Sequence, residues 1–149
     1  MKKTYFLIRI IIIYLFVISN GSAVKSNYFE EGKLLFDKKK FEKSKIFFER
    51  DIVFNPLSEK SYLYLAKIFY ENKNDQEQEI NLSNVLLLNP QNDEAIYMLT
   101  LLKIKQSNYN KAKDLIKKFN LVCVSFFSKR EEIQKKFDKL VPDNARDNN

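Results

Sequence analysis

Two segments decide how this 149-residue chain folds: Ile52-Val53-Phe54-Asn55-Pro56 and Val85-Leu86-Leu87-Leu88-Asn89-Pro90. Each closes an apolar run with Asn-Pro, and the two steps lie 34 residues apart. Proline lacks an amide proton and cannot continue a helix, so both steps mark boundaries between units. Sliding the sequence by the same 34 residues sets Tyr28 on Tyr62, Gly32 on Ala66 and Leu35 on Phe69. A third register begins near Asp93 and puts Ile96, Leu99 and Thr100 in the same slots, with Ala112 and Ile116 downstream. The registers are 25–58, 59–92 and 93–126.

Inside each register the apolar residues recur at helical spacing. Tyr28, Gly32, Leu35 and Phe36 share one face, as do Tyr62, Leu65, Ala66, Phe69 and Tyr70. The second halves read as helices over Phe41 to Phe54, Asp75 to Leu88 and Tyr109 to Phe119. Between the halves stand short polar turns: Asp37-Lys38-Lys39-Lys40, Asn72-Lys73-Asn74 and Gln106-Ser107-Asn108. Asn and Ser side chains there suit the free backbone groups at helix ends. The pattern predicts six antiparallel helices and no strands. A single helix pair cannot bury its own apolar face, so the pairs must stack.

Composition narrows the chemistry. The chain has no histidine and one cysteine, Cys123. Ser-His-Asp and Cys-His mechanisms are therefore excluded, as are His-based metal sites and any intramolecular disulfide. No phosphate-binding loop, nucleotide fingerprint or metal-ligand spacing is present. Acidic pairs such as Glu30-Glu31 and Glu131-Glu132 are adjacent, and adjacent residues on a helix do not face each other. The sequence predicts no catalytic residues, no metal and no cofactor. Of 26 basic residues only Arg9, Arg50, Arg130 and Arg146 are arginines. Base and phosphate readout favours the bidentate arginine, so a nucleic-acid partner is not expected.

The N-terminal segment points to export. Lys2 and Lys3 precede an apolar stretch from Tyr5 to Ile18, interrupted by Arg9, and small residues follow at Gly21 and Ala23. This matches a secretory signal over 1–23, cleaved after Ala23. The stretch is short against the roughly 20 apolar residues of a comfortable membrane span. Two other readings stay open: an uncleaved anchor with Arg9 snorkelling to the cytoplasmic face, which would bring membrane contact, and a buried core segment. No cysteine near Ala23 permits lipid attachment. Cleavage would remove Lys2, Lys3 and Arg9 and no acid, lowering the net charge from +7 to +4. The expected location is the periplasm or cell envelope, or the inner membrane if the segment stays.

With the period and its residues in view, the chain resembles the tetratricopeptide repeat family, whose unit is a 34-residue helix–turn–helix. Tyr28, Gly32, Phe48 and Pro56 carry the likeness in the first unit, and Tyr62, Leu65, Ala66, Phe69 and Pro90 in the second. The third keeps Leu99, Tyr109 and Ala112 but has Val124 where the proline belongs. Glu31, Asp51, Gln78 and Lys103 depart from the pattern, which widens the expected spacing of some helices. The resemblance implies an all-α solenoid of three helix pairs plus a C-terminal capping helix at 127–141. Ser128 and Glu131 have capping-box spacing there, Ile133, Phe137 and Leu140 mark one face, and Pro142 ends the helix. Lys129, Arg130, Lys135, Lys136 and Lys139 leave a membrane-surface helix as the alternative. The tail 142–149 is polar and expected to be disordered.

In this family the first helices line a concave groove that holds a peptide or a partner helix. The resemblance places Phe29, Lys33, Phe36 and Asp37 there from the first unit, with Leu63, Lys67, Tyr70 and Glu71 from the second. The third contributes Tyr97, Leu101, Ile104 and Lys105. The competing reading has Phe29, Phe36 and Tyr70 packing against adjacent helices while the lysines solvate an outer face. Some members clamp a C-terminal carboxylate; Phe29, Glu94 and Met98 occupy needed positions, and no clamp is expected. Cys123, in the apolar stretch Leu121-Val122-Cys123-Val124, is expected to be an inert buried thiol. The implied function is an exported, non-enzymatic scaffold binding a segment of another protein. The alternative is a membrane-tethered structural subunit of an envelope assembly complex.

Overall fold

The computed structural model describes residues 27–124 and 126–140. The expected signal or anchor over 1–23 and the tail at 142–149 lie outside the described residues. Among them there are seven helices and no strands. Helices α1 (Tyr28–Asp37) and α2 (Phe41–Phe54) form the first pair, α3 (Glu59–Glu71) and α4 (Asp75–Leu88) the second, and α5 (Asp93–Lys105) and α6 (Tyr109–Val122) the third. Helix α7 (Lys129–Leu140) closes the stack. Each pair packs most closely on itself, and each second helix also meets the next first helix. This is an all-α helical-repeat solenoid with a terminal helix docked on α5 and α6.

The period is visible in the backbone. Lys39, Lys73 and Ser107 are the left-handed residues, with φ of 55°, 55° and 58°, and stand 34 apart. In each turn the following amide reaches back to the first helix: Lys40 to Leu35, Asn74 to Phe69 and Asn108 to Lys103, all at 2.9 Å. These bonds satisfy carbonyls that a helix end leaves open. Asn74 and Asn108 then cap α4 and α6, accepting from the amides of Glu77 and Lys111. Lys40 has no side chain suited to that job, so α2 starts without a side-chain cap.

Size matching sets the spacing inside each pair. Gly32 lies under the ring of Phe48, where an added Cβ would stand 2.8 Å from a ring carbon. Thirty-four residues on, the same two slots hold Ala66 and Leu82, and a further 34 on Thr100 and Ile116. As the second-helix residue shrinks from Phe to Leu to Ile, the first-helix residue grows. All six are buried. The Thr100 hydroxyl is satisfied by donating to the Ile96 carbonyl at 2.7 Å, and Ser44 donates to the Gly32 carbonyl at 2.8 Å.

The departures from the repeat pattern are each provided for. Lys103 is 8% exposed in an aromatic slot, and its ammonium meets Glu79 at 2.5 Å and Gln106 at 2.9 Å. That contact holds the Glu79 carboxyl below its ordinary pKa. Asp51 accepts from Ser61 at 2.5 Å, linking α2 to α3. Buried polar groups are tolerated when paired, and these are. Cys123 is buried.

Helix α7 continues the register. Leu65, Leu99 and Ile133 recur at 34 and are all buried; so do Phe69, Lys103 and Phe137. The next slot, buried as Gly32, Ala66 and Thr100, is Gln134 in α7 and is exposed. The small slot exists to admit a second helix. Among the described residues α7 has none, so a polar side chain is tolerated there. It caps the stack by presenting a hydrophilic back to water.

Candidate partner-binding groove

The first helices of the second and third pairs, with α7, enclose a groove of about 860 Å³. Its floor is Tyr70, Tyr97, Met98 and Leu101. Lys73 and Asp75 from the α3–α4 turn, Lys105 from α5, and Lys136 and Leu140 from α7 form its rim. Tyr70, at 57% exposed, stands open to an incoming side chain. Tyr97 is held from three sides: Phe119 and Phe126 lie 5.9 and 5.8 Å from its ring, and its hydroxyl donates to Glu132 at 2.7 Å. Burial, reinforced by the Glu132 carboxylate, pushes the Tyr97 phenol above its ordinary pKa. It therefore stays a protonated donor and pins α7 to α5. Lys105 pairs with Asp75 at 2.6 Å across the rim.

The sequence-derived residues divide. Tyr70, Tyr97, Leu101, Ile104 and Lys105 are brought together at this groove. Phe29 and Phe36 do not line it. They are half-buried in the first pair's own cluster, 5.6 and 5.0 Å from the ring of Tyr64, with Phe48 beside Phe29 and Phe41 beside Phe36. Leu63 is half-buried against the main core. Lys67 sits 4.8 Å over the Tyr64 ring and pairs with Glu94 at 2.8 Å, so its charge is already met. Lys33 is exposed outside the groove.

Three contributors escaped the sequence reading. Tyr64 is where two faces compete for one space, and burial with nearby Asp37 raises its phenol pKa. Lys73 and Asp75 come from a turn, which periodicity treats as punctuation. Lys136 and Leu140 belong to the cap; the continued 34-residue register of α7 is the signal that could have found them. Among the described residues no three of His, Cys, Asp and Glu cluster as metal ligands, and no helix is long and apolar enough to cross a membrane.

Solved structures share this geometry. The first TPR of Spaghetti (RPAP3) bound to an HSP90 peptide, SRMEEVD, superposes with a TM-score of 0.67 at 15% identity, covering 76% of this chain and 90% of that one. The fold is tetratricopeptide-like. The CopN-Scc3 complex gives 0.64 at 14% identity over 85% of this chain and 74% of that chain. The Sgt2 TPR domain from Aspergillus fumigatus gives 0.64 at 13% identity over 79% and 82%. No protein-family model matches the sequence, and a search of curated proteins finds no match.

Proposed function

We propose that this tetratricopeptide-like chain is an exported, non-catalytic scaffold that seats a segment of another protein in the groove between α3, α5 and α7. The observation that carries this reading is the groove itself: an aromatic and aliphatic floor with a rim of Lys73, Lys105 and Lys136. Such a surface takes an apolar or aromatic anchor flanked by a carboxylate. That one structural neighbour holds a peptide supports a peptide-sized occupant. A C-terminal carboxylate clamp is not part of the proposal, because Glu94 places a negative charge beside Lys67. Export rests on the signal-like segment 1–23. The tethered alternative rests on the apolar run from Tyr5 to Ile18, and a mature chain starting at Val24 would remove it.

The test is affinity capture with the tagged full chain, partners being identified by mass spectrometry. Tyr70→Ala combined with Lys105→Glu alters two exposed side chains. It should cut partner recovery by about tenfold, the effect of losing a central anchor, and leave the helical signal unchanged. Undiminished recovery from that variant would move the site elsewhere.

A further inference from the structure

The two edges of the solenoid differ in chemistry. The turns within pairs, at 38–40, 72–74 and 106–108, lie along one edge and carry lysine and other polar residues. The loops between pairs, and the loop leading to α7, lie along the opposite edge. There Val53, Leu87 and Leu121 recur at 34 residues, so successive repeats bring them into one row. Phe54 and Leu57 stand beside the first, and Val124 and Phe127 beside the last. All seven are between 66% and 85% exposed. Large apolar side chains gathered on one surface mark a contact with something other than water.

The position and charge of this edge say what it meets. Helix α1 begins on it, with the Tyr28 ring stacked 5.5 Å from Phe54. Nine residues separate Asn27 from the end of the apolar run at Ile18. However they are arranged, they span at most about 30 Å. The acids flanking the loops are engaged internally. Glu59 accepts from Asn89 and Asn92, Asp93 from the amides of Val124 and Phe126, Asp51 from Ser61, and Glu94 pairs with Lys67. Cations stand beside the aromatics instead: Arg130 lies 4.5 Å over Phe127, and Arg50 5.9 Å from Phe47. Side chains so placed lay apolar stems on a greasy surface and offer their charge to anions.

We infer that the edge formed by Val53, Leu87, Leu121 and their neighbours rests on a bilayer surface bearing anionic lipid. It holds the repeats with the α3–α5–α7 groove open to the side. This goes beyond the groove reading and stands or falls separately from it.

The chain contains no tryptophan, so single tryptophans report position without interference. Leu87→Trp and Leu121→Trp place the probe on the edge, and Lys73→Trp places it on the opposite one; all three sites are exposed. The full-length variants are mixed with vesicles of phosphatidylglycerol and phosphatidylcholine in equal parts, the acyl chains brominated as quenchers. Several-fold stronger quenching at 87 and 121 than at 73, with a blue shift of emission, is the expected result. Equal weak quenching at all three positions would overturn the inference even if the first segment binds the vesicles. A blue shift at 87 and 121 that needs no vesicles and grows with protein concentration would overturn it too, by assigning the edge to a second copy.

Discussion

Phe48→Ala lowers the stability of the folded chain by about 3–5 kcal/mol, the usual cost of emptying a fully buried aromatic site. Phe48 is 0% exposed, lies 5.0 Å from Tyr64 and 5.8 Å from Phe29, and anchors a small cluster with Leu65 and Ile68. That cluster is the first pair's core and its joint with α3. In a stacked array each unit is held by its neighbours, so the loss should appear as early unfolding of α1 and α2. Urea titration followed by circular dichroism checks the magnitude, and hydrogen exchange checks the location. The same site tests the size matching. Gly32→Ala alone should cost about 1–3 kcal/mol by overpacking against the Phe48 ring. Placed with Phe48→Leu, the pairing the second unit already has in Ala66 and Leu82, it should become favourable by up to about 1 kcal/mol through helix propensity. An equal effect of Gly32→Ala in both backgrounds would refute the complementarity.

Ile133→Asp is the second large effect. Ile133 is 0% exposed between α7 and the third pair, and no cation is printed by the geometry to receive a carboxylate there. Burying that group should cost at least about 4 kcal/mol. The cheaper outcome for the chain is to release α7. Release uncovers the surface around Phe119 and Leu115, breaks the Tyr97–Glu132 hydrogen bond and removes one wall of the groove. The variant should self-associate on size-exclusion chromatography and lose α7 to limited proteolysis. Gln134→Asp, one residue along on the exposed back, should stay within about 0.5 kcal/mol of the parent. If both substitutions behaved alike, α7 would not be a docked cap.

What could be read beforehand follows from what periodicity encodes. Pro56 and Pro90 end helices because of their own chemistry, and α2 and α4 stop at Phe54 and Leu88, two residues before each. Helix α6 was expected to end at Phe119 and runs to Val122, since Asn120, Leu121 and Val122 contain nothing that stops a helix. The left-handed Lys39, Lys73 and Ser107 carry no glycine to announce them; the turn imposes their conformation. The groove was half legible. A 3.6-residue period tells which face a side chain occupies but not how two neighbouring faces share one space. Tyr64 took the room that would have left Phe29 and Phe36 open, and Glu94 took the charge of Lys67. Tyr70, Leu101 and Lys105 met no such competitor from a neighbouring first helix, and α7 completed the wall around them.

Site-specific photocrosslinking with the full chain in its own cell decides most directly whether partners are seated by the first helices. A benzophenone side chain is installed at Tyr70 or Lys105 on the groove, and at Ser83 or Lys117 on the second helices; all four sites are exposed. Seating in the groove predicts a discrete crosslinked partner from positions 70 and 105 and none from 83 and 117. A partner trapped only from 83 and 117 would contradict it.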